Sequence, residues 1–422
     1  ATRHSGPSVF FKYFFEAGVK WLAAELMYGC IESCVAALRG ASLANGQQGY
    51  GGHMAVQWST TPHDDIYRYR RYFNSLMLAY TNGLTEINTE EGCYRLEEIY
   101  ADHERNSSAC RHHASVQAAF CDFVQTHTRR GSFKTNIAVI HGKYDSFSMF
   151  NTVNIWGMEG SCWRDSERSW DLLKIFYPHA VFDVVYRHNC PHEPVGFFTE
   201  TPYGGVDIVP DSAPSEFLAR YPYVILFGYN CATHDFNARA LEYVKNGGTL
   251  LATLSHFSDC LDHAEANAGK GGIVDDERFR ELTGCASVVQ TQEGLRLAEA
   301  DGSVPAVWER KVGKGRLILF NTMAYPAHES VRERYAEAVR AIAGANAAAE
   351  RAKGWAAPHG WVSASVYDAP DRRTLYCVNV NWWADGDPAE RVTLWNAGHG
   401  YDTDVLRDCV CIASVFGDTM FV

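Results

Sequence analysis

Three short segments in the first third of the chain place polar side chains at alternating positions. In an extended strand every second side chain lies on the same face. In residues 19–27 this face carries Trp21 and Glu25. In residues 52–59 it carries His53, Ala55 and Gln57. In residues 84–90 it carries Glu86, Asn88 and Glu90. Because a polar face on a buried strand is costly unless it lines a site, we predict a site near the carboxyl ends of these strands.

Two carboxylates that face a common cavity can hydrolyse a glycoside. One must stay protonated as the acid, while the other stays ionised as the nucleophile or base. We predict that Glu90 and Glu25 are these catalytic carboxylates. The alternative for either residue is an exposed or salt-bridged position at a strand end. The recurrence of the polar face in all three segments argues against this alternative.

The remaining polar and aromatic side chains of these segments are predicted to bind the substrate. They are Gln57, Trp58, Asn88, Glu86, His63 and Trp21. The amides would hydrogen-bond sugar hydroxyls or hold a carboxylate, the indoles would stack on the sugar ring, and His63 would lie at the rim. The loop also has a structural interpretation, because Asp64 or Asp65 could cap the helix that begins at Ile66.

Helices alternate with these strands. We predict helices over residues 9–17, 31–45, 66–82 and 95–128, the last with a break near Asn106. This alternation favours a parallel sheet or part of a barrel. Three such units cannot close a barrel, which needs about eight strands. Either the domain is a small open sheet or the chain lacks an N-terminal part, and the strand near Val19 would be an unpaired edge.

Two further domains are predicted after the first, which covers residues 1–132. Residues 133–352 alternate apolar strands with helices, as a doubly wound open α/β domain does. Residues 353–422 turn to β patterns and are predicted to form a small antiparallel β-sandwich domain.

Composition argues against several classes of partner and cofactor. The net charge is −12 and no Lys/Arg run occurs, so we expect neither nucleic acid nor membrane as a partner. No apolar run could span a bilayer, and the N-terminal sequence is not a signal peptide. The 13 Cys are scattered without a CxxC pair, which favours reduced thiols in the cytoplasm and no metal site. Without a GxGxxG or Walker motif, we expect no cofactor.

Two smaller features have structural as well as functional interpretations. Cys231 follows an apolar segment, as the nucleophile of an elbow does, but no glycine follows it. An amidotransferase-type hydrolase that uses Cys231 is an additional hypothesis. The pair His112-His113 is predicted to be solvated helix surface, and the glycines after Asn246 are predicted to form a turn.

The order of these domains resembles that of the family 42 β-galactosidases and of a related β-mannosidase family. The resemblance implies the C-terminal part of a (β/α)8 TIM barrel, then a glutamine-amidotransferase-like open α/β domain without its Cys, then a small antiparallel β domain. It also implies that the second domain is not catalytic and helps to build a trimer. Within the barrel, the resemblance covers only the last three strands.

The resemblance places the three polar segments as barrel strands six, seven and eight. In that family the nucleophile is a Glu at the end of strand seven, and the acid/base is a Glu at the end of strand four. The nucleophile position therefore falls at or beside Gln57, which cannot act as a nucleophile. Either the nucleophile has moved to Glu25 or Glu90, or an engineered Glu→Gln change stands here, or the strand register differs.

We therefore predict a retaining glycoside hydrolase that acts on a β-linked hexoside, either a β-galactoside or a β-mannoside. It would bind a carbohydrate substrate. The resemblance also implies that it assembles with further copies of itself into a trimer. The alternative is a non-catalytic carbohydrate-binding or assembly subunit whose barrel is completed by another chain.

Overall fold

The structure, a computed structural model, describes residues 2–4, 10–26, 30–55, 66–89, 103–147, 164–180, 198–352, 362–380, 390–396, 399–405, 410–416 and 419–421. The chain forms two compact units. The first contains Ala1–Lys134, Phe176–Gly205 and Gly344–Val422, and the second contains Thr135–Ile175 and Val206–Ala343. The three-domain division at residues 132 and 352 stays a prediction.

The strands are numbered here in chain order. They are β1 Thr2–His4, β2 Leu22–Leu26, β3 Gly51–Met54, β4 Glu86–Thr89, β5 Ser132–Lys134, β6 Ile137–His141, β7 Asp207–Pro210, β8 Tyr223–Leu226, β9 Thr249–Thr253, β10 Ser287–Thr291, β11 Gly294–Ala298, β12 Val307–Val312, β13 Gly315–Phe320, β14 Val362–Ala369, β15 Arg372–Asn379, β16 Glu390–Asn396, β17 His399–Val405, β18 Val410–Phe416 and β19 Thr419–Phe421.

The α-helices are numbered in the same way. They are α1 Phe11–Glu16, α2 Ile31–Ala44, α3 Ile66–Thr81, α4 His103–Thr126, α5 Asp165–Arg168, α6 Ser215–Leu218, α7 His234–Lys245, α8 His263–Asn267, α9 Glu277–Thr283 and α10 Arg332–Ala352. Two 3-10 helices, Ser169–Ile175 and Leu254–Phe257, follow α5 and β9. Among the described residues, no helix is both long enough and apolar enough to cross a membrane.

The first unit contains a parallel sheet in the order β1-β2-β3-β4. Helices α1, α2 and α3 connect its successive strands, and α4 follows β4. The predicted alternation of helix and strand is therefore confirmed over the described part of each segment. The barrel itself stays a prediction.

Three expectations from the sequence are wrong. The strand β2 is not an unpaired edge, because β1 pairs with it in parallel from Thr2↔Leu22 to His4↔Ala24. The sequence did not reveal β1, because a strand of three residues is too short to show a periodicity. Helix α4 runs without a break through Asn106. On the same helix His113 is buried, and its ring centroid lies 5.3 Å from that of Tyr72 rather than in solvent.

Two arginines fix the connection that leads into β4. The buried Arg39 donates from Nη1 to the carbonyl oxygen of Asn82 at 3.2 Å. Arg129 donates from Nη2 to the carbonyl oxygen of Leu84 at 2.8 Å and from Nη1 to the hydroxyl of Tyr367 on β14 at 3.2 Å. Because charged donors make strong hydrogen bonds, these contacts hold the start of β4 and so help to position its polar face.

The first unit also contains an antiparallel sheet in the order β19-β18-β15-β14-β5 and a separate hairpin of β16 and β17. The sequence pattern predicts strands over residues 361–367, 374–381 and 391–395 and near Val410, and these correspond to β14, β15, β16 and β18. The pattern does not predict the strands β5, β17 and β19. The strand β5 reaches this sheet from a distant part of the sequence, which no local pattern can indicate.

The second unit is built on a six-stranded sheet in the order β12-β13-β9-β8-β6-β7. All neighbouring strands run parallel except β12, which pairs antiparallel with β13. A mostly parallel α/β sheet, as predicted for this part of the chain, is thus present. The turn after Asn246 is also confirmed, because Gly247 has a φ of 120° that favours glycine.

A fully buried carboxyl group lies at the start of α2. Glu32 Oε1 accepts a hydrogen bond from the backbone N–H of Thr199 at 3.2 Å, and Oε2 accepts from the Cys30 thiol at 3.3 Å. Burial raises the pKa of Glu32 from its usual 4.5 to about 7. Since the folded-state pKa is the higher one, the stabilising contribution of the protonated form is complete below pH 4.5 and is lost as the pH rises through about 7.

We expect Glu32→Gln to remove this pH dependence. Between pH 5 and pH 8 the wild-type protein should lose up to about 3 kcal/mol of unfolding free energy relative to the variant, because a neutral amide has no proton to release. Urea titrations at both pH values measure the difference. The exposed Glu333→Gln is the control and should follow the wild type. Parallel pH profiles for Glu32→Gln and the wild type would contradict the assignment.

Candidate functional site

The backbone register brings three polar residues of the first unit into one row. Glu25 on β2 is the Cα partner of His53 on β3, and His53 is the partner of Asn88 on β4. Adjacent parallel strands lie about 4.8 Å apart, and paired residues share a face of the sheet. The three side chains therefore form a continuous polar row in the carboxyl-terminal half of each strand, where parallel α/β sheets bind their ligands.

A hydrogen bond of 2.6 Å joins the last two members of this row. It connects His53 Nδ1 with Asn88 Oδ1. An amide oxygen can only accept, so Nδ1 carries the proton and donates. In the neutral ring Nε2 is then the acceptor atom, which is the form suited to receive a hydrogen bond from a hydroxyl group.

Burial distinguishes Glu25 from an ordinary strand-end carboxylate. Its residue exposure is 9%, and that of the neighbouring His53 is 8%. Buried carboxyl groups occur where a partner or a ligand compensates for lost hydration. The interpretation of Glu25 as an exposed residue is therefore wrong, and this residue remains a candidate catalytic carboxylate.

Trp21 lies against the same face of the sheet, on the amino-terminal side of the polar row. Gly51 makes room for its indole, because a Cβ at Gly51 would come within 2.5 Å of Trp21 Cη2. Gly51 precedes His53 by two residues and pairs with Glu86 across the sheet. Trp21 is thus packed on the site face, whereas Glu86 is exposed. Substrate binding by both residues stays a prediction.

Several predicted site residues lie outside the described residues. They are Glu90, Gln57, Trp58 and His63. Their assignments stay predictions. Among the residues that the structure does describe, no group of His, Cys, Asp and Glu could hold a metal ion.

His53 was not assigned to the site from the sequence, although it lies on the polar face of its segment. The period-two pattern alone contained this signal, since His53 shares its face with Gln57. The pattern could not reveal the register between strands, and it is the register that sets His53 between Glu25 and Asn88.

The hypothesis of a nucleophilic Cys231 receives no support from its surroundings. The residue is buried, and its thiol donates to the carbonyl oxygen of Asp259 at 3.5 Å. Burial raises the pKa of Cys231. A nucleophilic cysteine needs a lowered pKa, because the thiolate is the reactive form.

Comparison with solved structures finds several β-galactosidases, one of which is described as a member of the family expected from the sequence. Three of them are Gan42B, a GH42 β-galactosidase from G. stearothermophilus (12% identity, TM-score 0.55), the β-galactosidase of Bacillus circulans sp. alkalophilus (12%, 0.51) and the β-galactosidase of Rahnella sp. R3 (12%, 0.50). Each match covers 96% of this chain and about 61% of the other. No protein-family model and no curated protein matches the sequence.

These matches show a shared fold. The chain is a mixed α/β protein with parallel sheets that resembles GH42 structures, which confirms the resemblance noted from the sequence. The chain spans 61% of the length of the first of these structures.

We expect Asn88→Ala to change the protonated nitrogen of His53. In the wild type the Asn88 oxygen holds the proton on Nδ1, and without it the ring should shift toward the Nε2–H form that free imidazole side chains prefer. Long-range ¹H–¹⁵N spectra report the tautomer, with His53→Gln used to assign the signal. Asn88→Asp keeps an acceptor and should keep Nδ1 protonated. An unchanged tautomer in Asn88→Ala would contradict the hydrogen bond.

Gly51→Ala should displace Trp21 and lower the free energy of unfolding by about 1–3 kcal/mol, as overpacking does. Adding Trp21→Leu should recover part of this loss, because the clashing ring is removed. Gly344→Ala is the control, since nothing lies within 4 Å of a Cβ there, and in helix α10 it should stabilise by about 0.5–1 kcal/mol. Additive effects of Gly51→Ala and Trp21→Leu in urea titrations would contradict the contact.

Proposed function

We propose that the chain is a glycoside hydrolase, or part of one, that acts on a β-linked hexoside such as a β-galactoside or a β-mannoside. The observation that carries this proposal is the row of a buried carboxylate, a histidine and an amide along the carboxyl ends of parallel strands. The fold likeness to β-galactosidase structures supports it.

The row provides groups suited to a hexoside. His53 and Asn88 would hydrogen-bond ring hydroxyls, with the Nδ1 hydrogen bond fixing the orientation of the imidazole. Glu25 would supply one of the two carboxylates that glycoside hydrolysis requires.

Glu90 is the proposed second carboxylate. It continues the alternation of Glu86 and Asn88 by two residues. Strands β2 and β4 are two spacings apart, or about 9.6 Å between backbones. A retaining mechanism needs about 5.5 Å between its two carboxyl groups and an inverting mechanism about 6.5–9.5 Å, so the separation of the Glu25 and Glu90 carboxyl groups would distinguish the two.

The test is hydrolysis of aryl β-galactosides and aryl β-mannosides by the full chain. We expect Glu25→Gln and Glu90→Gln each to lower kcat by about 10²–10⁴-fold, the usual contribution of an acid–base group. Glu333→Gln, an exposed glutamate of the second unit, should keep wild-type activity. Full activity in Glu25→Gln would exclude Glu25 as a catalytic group, and full activity in Glu90→Gln would exclude Glu90.

A second candidate function is that of a non-catalytic carbohydrate-binding or assembly subunit. Two observations favour it: the described part of β3 carries His53 but no carboxylate, and the sequence continues to Gln57. A completing chain, a homotrimer and a cytoplasmic location all stay predictions.

Titration calorimetry with methyl β-galactoside and methyl β-mannoside separates the two candidates. A binding subunit should bind a glycoside without hydrolysing it, and His53→Ala should weaken binding by about tenfold or more, the loss of a ligand hydrogen bond of about 1.4 kcal/mol or more. Native mass spectrometry of the same sample would show whether another chain is bound. Turnover of either glycoside would exclude the non-catalytic function.

A further inference from the structure

Two thiols of the second unit lie beside each other beyond the carboxyl ends of β8 and β9. Cys231 follows β8 and is buried, whereas Cys260 follows β9 and is half-buried. Cys231 belongs to a buried cluster with Tyr229, Ala266 and Tyr325, and Cys260 packs against this cluster. The two thiols thus share one environment.

Hydrogen bonds hold the two segments together. The N–H of Ala232 donates to the carbonyl oxygen of Ser258 at 2.7 Å, and the Cys231 thiol donates to the carbonyl oxygen of Asp259 at 3.5 Å. That oxygen lies about 2.8 Å from the Cα of Cys260 by standard peptide geometry. The Cys231 sulfur is therefore within about 6.3 Å of that Cα. A closed disulfide brings these two atoms to about 4.5 Å or less, so the Cys231 side chain must rotate toward Cys260 for the bond to form.

We propose that Cys231 and Cys260 form an oxidation site that closes an intramolecular disulfide when the protein meets a small-molecule disulfide such as oxidised glutathione. The bond would join the segment after β8 to the segment after β9, at the edge of the sheet where open α/β folds place their loops.

Cys260 would react first, because it is the more exposed thiol. Its thiolate attacks one sulfur of oxidised glutathione, forms a mixed disulfide and releases one glutathione, which takes up the proton that Cys260 lost. The Cys231 thiolate then attacks the Cys260 sulfur and releases the second glutathione, which takes up the Cys231 proton. Two protein thiols are oxidised by two electrons, and one glutathione disulfide is reduced to two thiols.

The resting contacts of the thiols make the second step the slower one. The Cys260 thiol donates to the carbonyl oxygen of Asp262 at 3.4 Å and must rotate away from it. Burial raises the pKa of Cys231, so few molecules carry its thiolate at any moment. Proximity compensates for this small thiolate fraction, because the mixed disulfide forms beside Cys231 and the attack is intramolecular.

The experiment treats the folded full chain with oxidised glutathione, blocks remaining thiols with N-ethylmaleimide and digests with trypsin. Fragments 221–239 and 246–270 contain one cysteine each, Cys231 and Cys260. We expect these two fragments as a linked pair that separates on reduction. Cys231→Ser should stop at glutathione bound to fragment 246–270, and Cys260→Ser should leave Cys231 blocked by the maleimide.

Cys285→Ser is the matched control, because Cys285 is another half-buried thiol of this unit and lies outside the cluster. This variant should still give the linked pair. A wild-type protein that accumulates glutathione on Cys260 without the linked fragments would overturn the proposal. So would a linked pair that forms only after denaturation, since the proposal requires the folded arrangement.

Discussion

The candidate site depends on the register between three parallel strands. Register determines which side chains meet, because a slip by one residue turns every side chain to the opposite face. In the observed register Glu25, His53 and Asn88 share one row. The arginine contacts to the backbone at Asn82 and Leu84 hold the entry to β4 and so help to maintain this arrangement.

The row combines three different chemical roles. A buried carboxylate can transfer a proton or bond to a sugar carbon, an imidazole with its proton fixed on Nδ1 can accept a hydroxyl hydrogen bond, and an amide fixes that tautomer. The described part of β3 contributes a histidine to this row and no carboxylate. Glycoside hydrolysis at this row, as proposed above, would therefore need carboxylates from elsewhere in the first unit, and Glu25 and Glu90 are the candidates.

Sequence patterns predicted the strands and helices better than they predicted which of these elements pack together. Alternation located β2, β3 and β4 and the helices α1, α2 and α3 that connect the strands, because local sequence determines periodicity. The strand β1 was missed because three residues show no period. The burial of His113 and the central position of His53 were also missed, since both depend on contacts with residues far away in the sequence.

Trapping of a glycosyl-enzyme intermediate would show directly whether Glu25 or Glu90 acts as the nucleophile. Dinitrophenyl 2-deoxy-2-fluoro-β-galactoside and its β-mannoside analogue leave the sugar on the nucleophile of a retaining glycosidase. Tryptic fragment 21–39 contains Glu25, and fragment 72–95 contains Glu90. We expect the label on one of these fragments, at Glu25 or Glu90. A label confined to other fragments, or no label with either reagent, would contradict this expectation.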